Sequence, residues 1–208
     1  MMLAFKAWKE SQVRFLLGAA ALLWFCGLFV LVRPGFRAAA ERPYADFVAG
    51  TIYGGGIRVL YTIFVVVLGL GGLLPERAYG SVWFTLALPV RRLRLVVVRA
   101  GVGVVQVAAL ACIPALAVST LSRFVHETYS VADALKRSGQ WAAAGAAAFG
   151  LAFLASVALE APFAALGISL SLIFGYALTM SSPGWLAALA AATAMVTVAA
   201  WLTDRQDF

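Results

Sequence analysis

Uncharged apolar runs alternate with short charged interruptions along almost the whole of this chain. Phe15–Val32, Ala100–Leu121 and Gln140–Leu159 carry no charge, and Ile57–Leu74 carries only Arg58. The uncharged region Ala161–Thr203 is too long for one helix, and Pro183-Gly184 divides it into Phe163–Met180 and Trp185–Leu202. A helix crosses a bilayer with about 20 mostly apolar residues, at about 1.5 Å each. The pattern therefore predicts an all-α polytopic membrane protein with six spans, at about 15–32, 57–74, 100–121, 140–159, 163–180 and 185–202. We treat 1–208 as a single transmembrane domain.

Two polar-containing segments show helical rather than spanning patterns. In residues 1–14, Met1, Phe5 and Trp8 cluster with Phe15 on one side of a helical wheel, and Lys6, Glu10 and Arg14 fall opposite. That suits an interfacial helix on the inner leaflet. Between the second and third spans, Pro75 suits a first helical turn and Glu76 complements its dipole. Tyr79, Val82, Trp83 and Leu86 then recur at helical spacing, and Arg77, Ser81 and Thr85 lie on the other side. Pro89 ends the pattern, so 75–89 reads as a short amphipathic helix followed by Arg91, Arg92, Arg94 and Arg99.

Composition agrees with this picture. The 208 residues are 63% hydrophobic and only 12% charged, with mean hydropathy +0.95. Soluble domains run about 45–50% apolar and about 25% charged, so the bilayer is the solvent that fits. The net charge of +7 points to anionic headgroups or an acidic protein surface rather than nucleic acid. Arg exceeds Lys and Asn is absent, which suggests a GC-rich bacterial genome and the bacterial inner membrane. The first apolar run is long enough to span and lacks a small-residue cleavage site, so it reads as a retained span. With both termini cytoplasmic, nine Lys/Arg fall inside and seven outside. The cluster Arg91, Arg92, Arg94, Arg99 and the basic start set that orientation.

Glu76, Gly80, Leu86, Leu88-Pro89, Arg91, Arg92 and Arg99 form an arrangement similar to the permease subunits of ABC-type exporters, in the ABC type-2 family with the type V exporter fold. The resemblance implies that 75–89 is a cytoplasmic coupling helix. Glu76, Arg77, Tyr79, Gly80, Trp83, Leu86, Pro89, Arg91 and Arg92 would then meet a separate ABC ATPase subunit. It implies that the segment bearing Phe5, Trp8 and Phe15 is the elbow helix near that ATPase, and that a second permease subunit, identical or not, completes the pathway. The chain differs from the family between its fifth and sixth spans, where only Ser181–Gly184 replaces the usual re-entrant pair.

The remaining chemistry is sparse. No G-x-x-x-x-G-K-[ST] loop occurs, so ATP and Mg belong to the partner and this chain is expected to hold no cofactor. His126 has no second His or Cys ligand nearby in sequence, so neither a metal site nor a catalytic residue is expected. Cys26 and Cys112 read as packing residues. Two residues are candidates for the pathway. Arg58, placed at the outer end of the second span, either snorkels to the interface, the favoured reading, or meets an anionic group. Glu160 either caps the turn between the fourth and fifth spans or takes part in gating. The expected function is the membrane subunit of an ATP-driven exporter, not an enzyme. The alternative is a non-transporting accessory protein that scaffolds a larger membrane complex.

Overall fold

The computed structural model describes residues 2–33, 43–70 and 92–158, together with helical positions 190, 193–195, 197 and 198. The first helix, α1, runs without interruption over Met2–Val32. A short helix α2, Tyr44–Phe47, continues into a π-helical turn, Val48–Tyr53. After a bend at Gly54 and Gly55, α3 occupies Gly56–Leu70. Then come α4, Arg92–Leu121, a 3₁₀ turn, Ser122–Val125, and α5, Val131–Ala158. No strand occurs among the described residues.

Three helical runs are long and apolar enough to cross a membrane: Leu3–Val32, Tyr44–Leu70 and Arg94–Val125. The all-helical, membrane-length architecture thus agrees with the sequence, but several boundaries differ. The segment 1–14 is not a separate interfacial helix; no Pro or Gly interrupts α1 before Gly18, and the helix continues from the basic start into the apolar run. The second run begins at Tyr44 rather than Ile57, because Tyr44, Phe47, Val48 and Ile52 form a buried stripe at helical spacing. The third starts at Arg92 rather than Ala100 and the fourth helix at Val131 rather than Gln140, each extended into charged sequence. The fifth span, Glu160 and all of 71–91 lie outside the described residues, and of the sixth span only helical positions 190, 193–195, 197 and 198 are described.

The four long helices pack in a ring in which α1 touches α3 and α4, and α5 touches α3 and α4. Contacts along the axes fix their directions. Glu10 meets Arg99 and Arg33 meets Glu127, so α1 and α4 run parallel. Tyr53 meets Ala134 and Gly69 abuts Ala152, so α3 and α5 also run parallel. Gly103 lies under Phe149 and Gly145 beside Val107, so α4 and α5 oppose each other. The start of α1, the end of α3 and the start of α4 therefore share one end of the bundle, called the near end below. Leu70 and Arg92, which flank 71–91, lie toward that same end.

Lipid tails are as apolar as leucine, so helices in a bilayer associate through close fit rather than hydrophobic exclusion. Here rings settle over glycines. A Cβ on Gly18 would lie 3.0 Å from Phe64 Cγ, one on Gly103 would collide with the Phe149 ring, and one on Gly145 with the Tyr61 hydroxyl. On Gly69 it would stand 2.7 Å from Ala152 Cβ and 3.0 Å from the Phe149 carbonyl oxygen. Tyr61 is held in its notch by donating to the carbonyl of Trp141 at 3.1 Å, and its ring stacks on Trp141 at 5.0 Å. Pro114 lies inside α4 without ending it, as neighbouring helices allow in membrane bundles.

Gly103→Leu and Gly69→Val are expected to destabilise the purified protein by about 1–3 kcal/mol each through overpacking. Gly101, which has nothing within 4 Å of a built Cβ, should accept alanine without loss. Thermal unfolding in detergent or nanodiscs reads both results.

Candidate functional site

In an apolar solvent each polar side chain must find a partner in its own helix or across a contact. Most do so here. Thr62 donates to the carbonyl of Arg58 at 2.8 Å, Thr120 to that of Leu116 at 2.7 Å, and Ser156 to that of Phe153 at 2.7 Å. Among the described residues, the interhelical ion pairs lie at the two ends.

At the far end Arg33 is only 6% exposed. Its Nη1 donates to Glu127 Oε1 at 2.8 Å, and its guanidinium lies 4.8 Å from the Tyr44 ring centroid and 5.4 Å from that of Phe47. Tyr44 Oη and Ser122 Oγ are 2.6 Å apart. The end of α1, the start of the second run and the turn after α4 are thereby joined. His126 holds that turn with φ 57°, a left-handed conformation, and His tolerates this better than most residues. Arg33 is a site residue that the sequence pattern does not single out. Its only signal was an arginine directly after an apolar run, with aromatics following.

At the near end Glu10 Oε2 accepts from Arg99 Nη2 at 2.9 Å, and Lys6 Nζ lies 3.6 Å from Glu10 Oε1. One turn deeper, Gln106 Nε2 donates to Ser11 Oγ at 2.8 Å. The polar face of the N-terminal segment is therefore partly turned into the bundle. Trp8 and Phe15 meet with ring centroids 5.5 Å apart, and Phe5 is well exposed, so the expected aromatic cluster is realised in that one pair.

Arg58 differs most from expectation. Tyr44 lies at the far end beside Ser122, and Leu68 lies at the near end beside Glu10 and Arg99. Arg58 is the fifteenth of the 27 residues in Tyr44–Leu70, so it sits midway rather than at the outer end. Its side chain is exposed. Beside it the helix is broken. The π turn gives way to a bend at Gly54 and Gly55, and Gly54 and Gly56 are exposed. Open backbone at membrane depth is tolerated only against protein or water. Helix irregularities of this kind are common at functional sites.

Arg58 is not brought together with the other expected site residues. Arg92 lies in the first turn of α4, and Glu76, Arg77, Tyr79, Gly80, Trp83, Leu86, Pro89, Arg91 and Glu160 lie outside the described residues. Cys26 and Cys112 are unpaired thiols. Among the described residues no three His, Cys, Asp or Glu side chains gather as metal ligands. No known protein family, curated protein or solved structure matches this chain.

Arg33→Ala is expected to destabilise the protein by more than the about 0–1 kcal/mol of an exposed pair and by less than the about 3–5 kcal/mol of a fully buried one, since Glu127 is 41% exposed. Arg33→Lys should recover only part of the loss, because ammonium lacks the planar face that stacks on Tyr44 and Phe47. Chemical or thermal unfolding of the three proteins measures this.

Proposed function

We propose that this chain is the membrane subunit of an ATP-driven exporter of the ABC type, with six spans, cytoplasmic termini and a separate ATPase that binds ATP and Mg. The observation that carries a transport role is Arg58, an exposed charge beside an open glycine turn, halfway along a helical run of membrane length. A purely scaffolding helix has no use for such a position, whereas a pathway supplies it with water and an anionic partner.

The energy input is assigned from sequence. The amphipathic pattern Glu76–Leu88 is the coupling helix, with Glu76, Arg77, Tyr79, Gly80, Trp83 and Leu86 toward the ATPase and Arg91 and Arg92 flanking it. The arrangement at the near end supports this. Leu68 and Arg99, on the described helices to either side of 71–91, both lie beside the start of α1, and Arg99 is bonded to Glu10. Motion of the coupling helix would pass along α4 and, through Arg99 and Glu10, to α1. The helices would then re-pack about their glycine contacts and switch access at Arg58. The α5 helix, at 28 residues, is long enough to serve as the fourth span. Two such subunits would form one pathway in the bacterial inner membrane.

The test is co-expression with a candidate ATPase encoded beside this reading frame. The wild-type chain should co-purify with it, and Glu76→Ala or Gly80→Trp should lower coupled ATPase activity by about tenfold or more without unfolding the bundle, on the scale of about 1.4 kcal/mol per tenfold change. If every candidate ATPase fails to bind, or activity ignores both variants, the exporter reading fails and a scaffolding role takes its place.

A further inference from the structure

Two arginines on neighbouring helices have no acidic partner, and the packing brings them together. Arg58 is exposed and Arg137 is half-buried. Among the described residues neither makes an ion pair or a side-chain hydrogen bond, and Asp133, one turn before Arg137, is paired with Lys136 at 3.8 Å. Arg58 is the third residue of α3, at the positive end of the helix dipole, where a cation is disfavoured. No carboxylate of the described residues relieves it.

The register of α3 on α5 sets their level. Tyr61 donates to the carbonyl of Trp141, and a Cβ on Gly69 would meet Ala152. Parallel helices keep step at about 1.5 Å per residue, so Arg137 comes level with 54–57 and lies within about 6 Å of Arg58 along the axis. They also share a side of the contact, since successive residues turn by about 100°. On α3, Phe64 points to α1 at Gly18, and Arg58 falls at the seam with α5 on the side away from α1. On α5, Phe149 points to α4 at Gly103, and Arg137 falls on the side away from α4. The Arg137 guanidinium lies 5.9 Å from the Tyr53 ring centroid, so it turns across the seam toward the second run. The outer edge of this seam thus holds one cation from each helix, beside the break at Gly54 and Gly55.

We propose that this seam binds a phosphate monoester between Arg58 and Arg137. One guanidinium fork already satisfies both oxygens of a carboxylate. Two forks reaching in from different helices call for a further acceptor oxygen, which a terminal phosphate has. A monoester also carries about −1.5 to −2 charge at neutral pH, which matches two arginines better than the single charge of a diester. The inference rests on the reading of Arg58 as a pathway residue and names the group that the pathway accepts. A lipid such as phosphatidic acid can carry that group, and so can a soluble monoester.

Two probes distinguish the sources. In the first, the full-length chain is placed in nanodiscs with equal amounts of phosphatidic acid, phosphatidylglycerol and phosphatidylcholine, and retained lipids are counted by native mass spectrometry. In the second, millimolar glycerol 3-phosphate is added to nanodiscs of phosphatidylcholine alone, and thermal unfolding is followed. A lipid source predicts retention of phosphatidic acid over phosphatidylcholine by about tenfold or more, as expected for charged hydrogen bonds. A soluble source predicts stabilisation by glycerol 3-phosphate. In either case Arg58→Gln and Arg137→Gln should each remove most of the effect, and Arg137→Lys should restore part of it. Lys136→Gln, at a neighbouring position 78% exposed, should leave it unchanged. The proposal is overturned if neither probe depends on both arginines, or if Lys136→Gln weakens the effect equally. Arginine-dependent retention of phosphatidylglycerol equal to that of phosphatidic acid also overturns it, because a diester then serves as well. Aqueous labelling of a cysteine at 58 reads the pathway by itself. Labelling there without any phosphate effect removes this proposal alone, and its absence removes the pathway on which both readings stand.

Discussion

Hydrocarbon offers no water to a lone charge or an open backbone, and the described bundle is organised around that constraint. Its hydroxyls bond back to their own helices, as Thr62, Thr120 and Ser156 do. Its interhelical ion pairs are confined to the two ends, Arg33 with Glu127 at one and Arg99 with Glu10 at the other. Between them the helices meet through rings laid over glycines, and the buried hydroxyls of Tyr53 and Tyr61 donate across helices to the carbonyls of Ala134 and Trp141. Against so consistent a pattern, the departures carry information. Arg58 and the neighbouring glycine bend stand exposed at mid-height, and Gln106 Oε1 is buried without a hydrogen-bond partner.

These departures lie on different helices and at different depths. Arg58 is exposed at mid-height, whereas Gln106 is buried toward the end of the bundle where Arg99 is bonded to Glu10. Arg99 links the second of these positions to the start of α4, the helix that receives the chain from the charged interruption. A displacement entering at that end would be felt at Gln106 before it reached Arg58. The far-end clamp at Arg33, with its two aromatic rings, would meanwhile hold α1, the second run and the loop after α4 together as one body.

The helical, membrane-length character of the chain was legible because uncharged runs of about 20 residues have few other uses. Boundaries were less legible, for a physical reason. Charge signals the end of an apolar run but not the end of a helix, and Arg92, Arg94, Asp133, Lys136 and Arg137 all lie within helices that continue past the apolar run. The buried stripe of Tyr44, Phe47, Val48 and Ile52 was visible in the spacing and was masked by the proline, arginine and glycine around it. The misplacement of Arg58 followed directly, since adding that stripe moves the residue from the end of a span to its middle. Partners across helices, such as Glu10 for Arg99 and Glu127 for Arg33, depend on which helices adjoin and could not be read from one sequence. The amphipathic pattern Glu76–Leu88 remains a sequence argument.

The central claim is that the mid-membrane face at Arg58 meets water. Replacing Cys26 and Cys112 and then placing single cysteines at 54, 58 and, as a lipid-facing control, 24 allows a direct measurement with a charged, membrane-impermeant thiol reagent in sealed vesicles. The account predicts rapid modification at 54 and 58 and almost none at 24. Positions 54 and 58 that react only with a lipid-soluble maleimide, as 24 does, would contradict it.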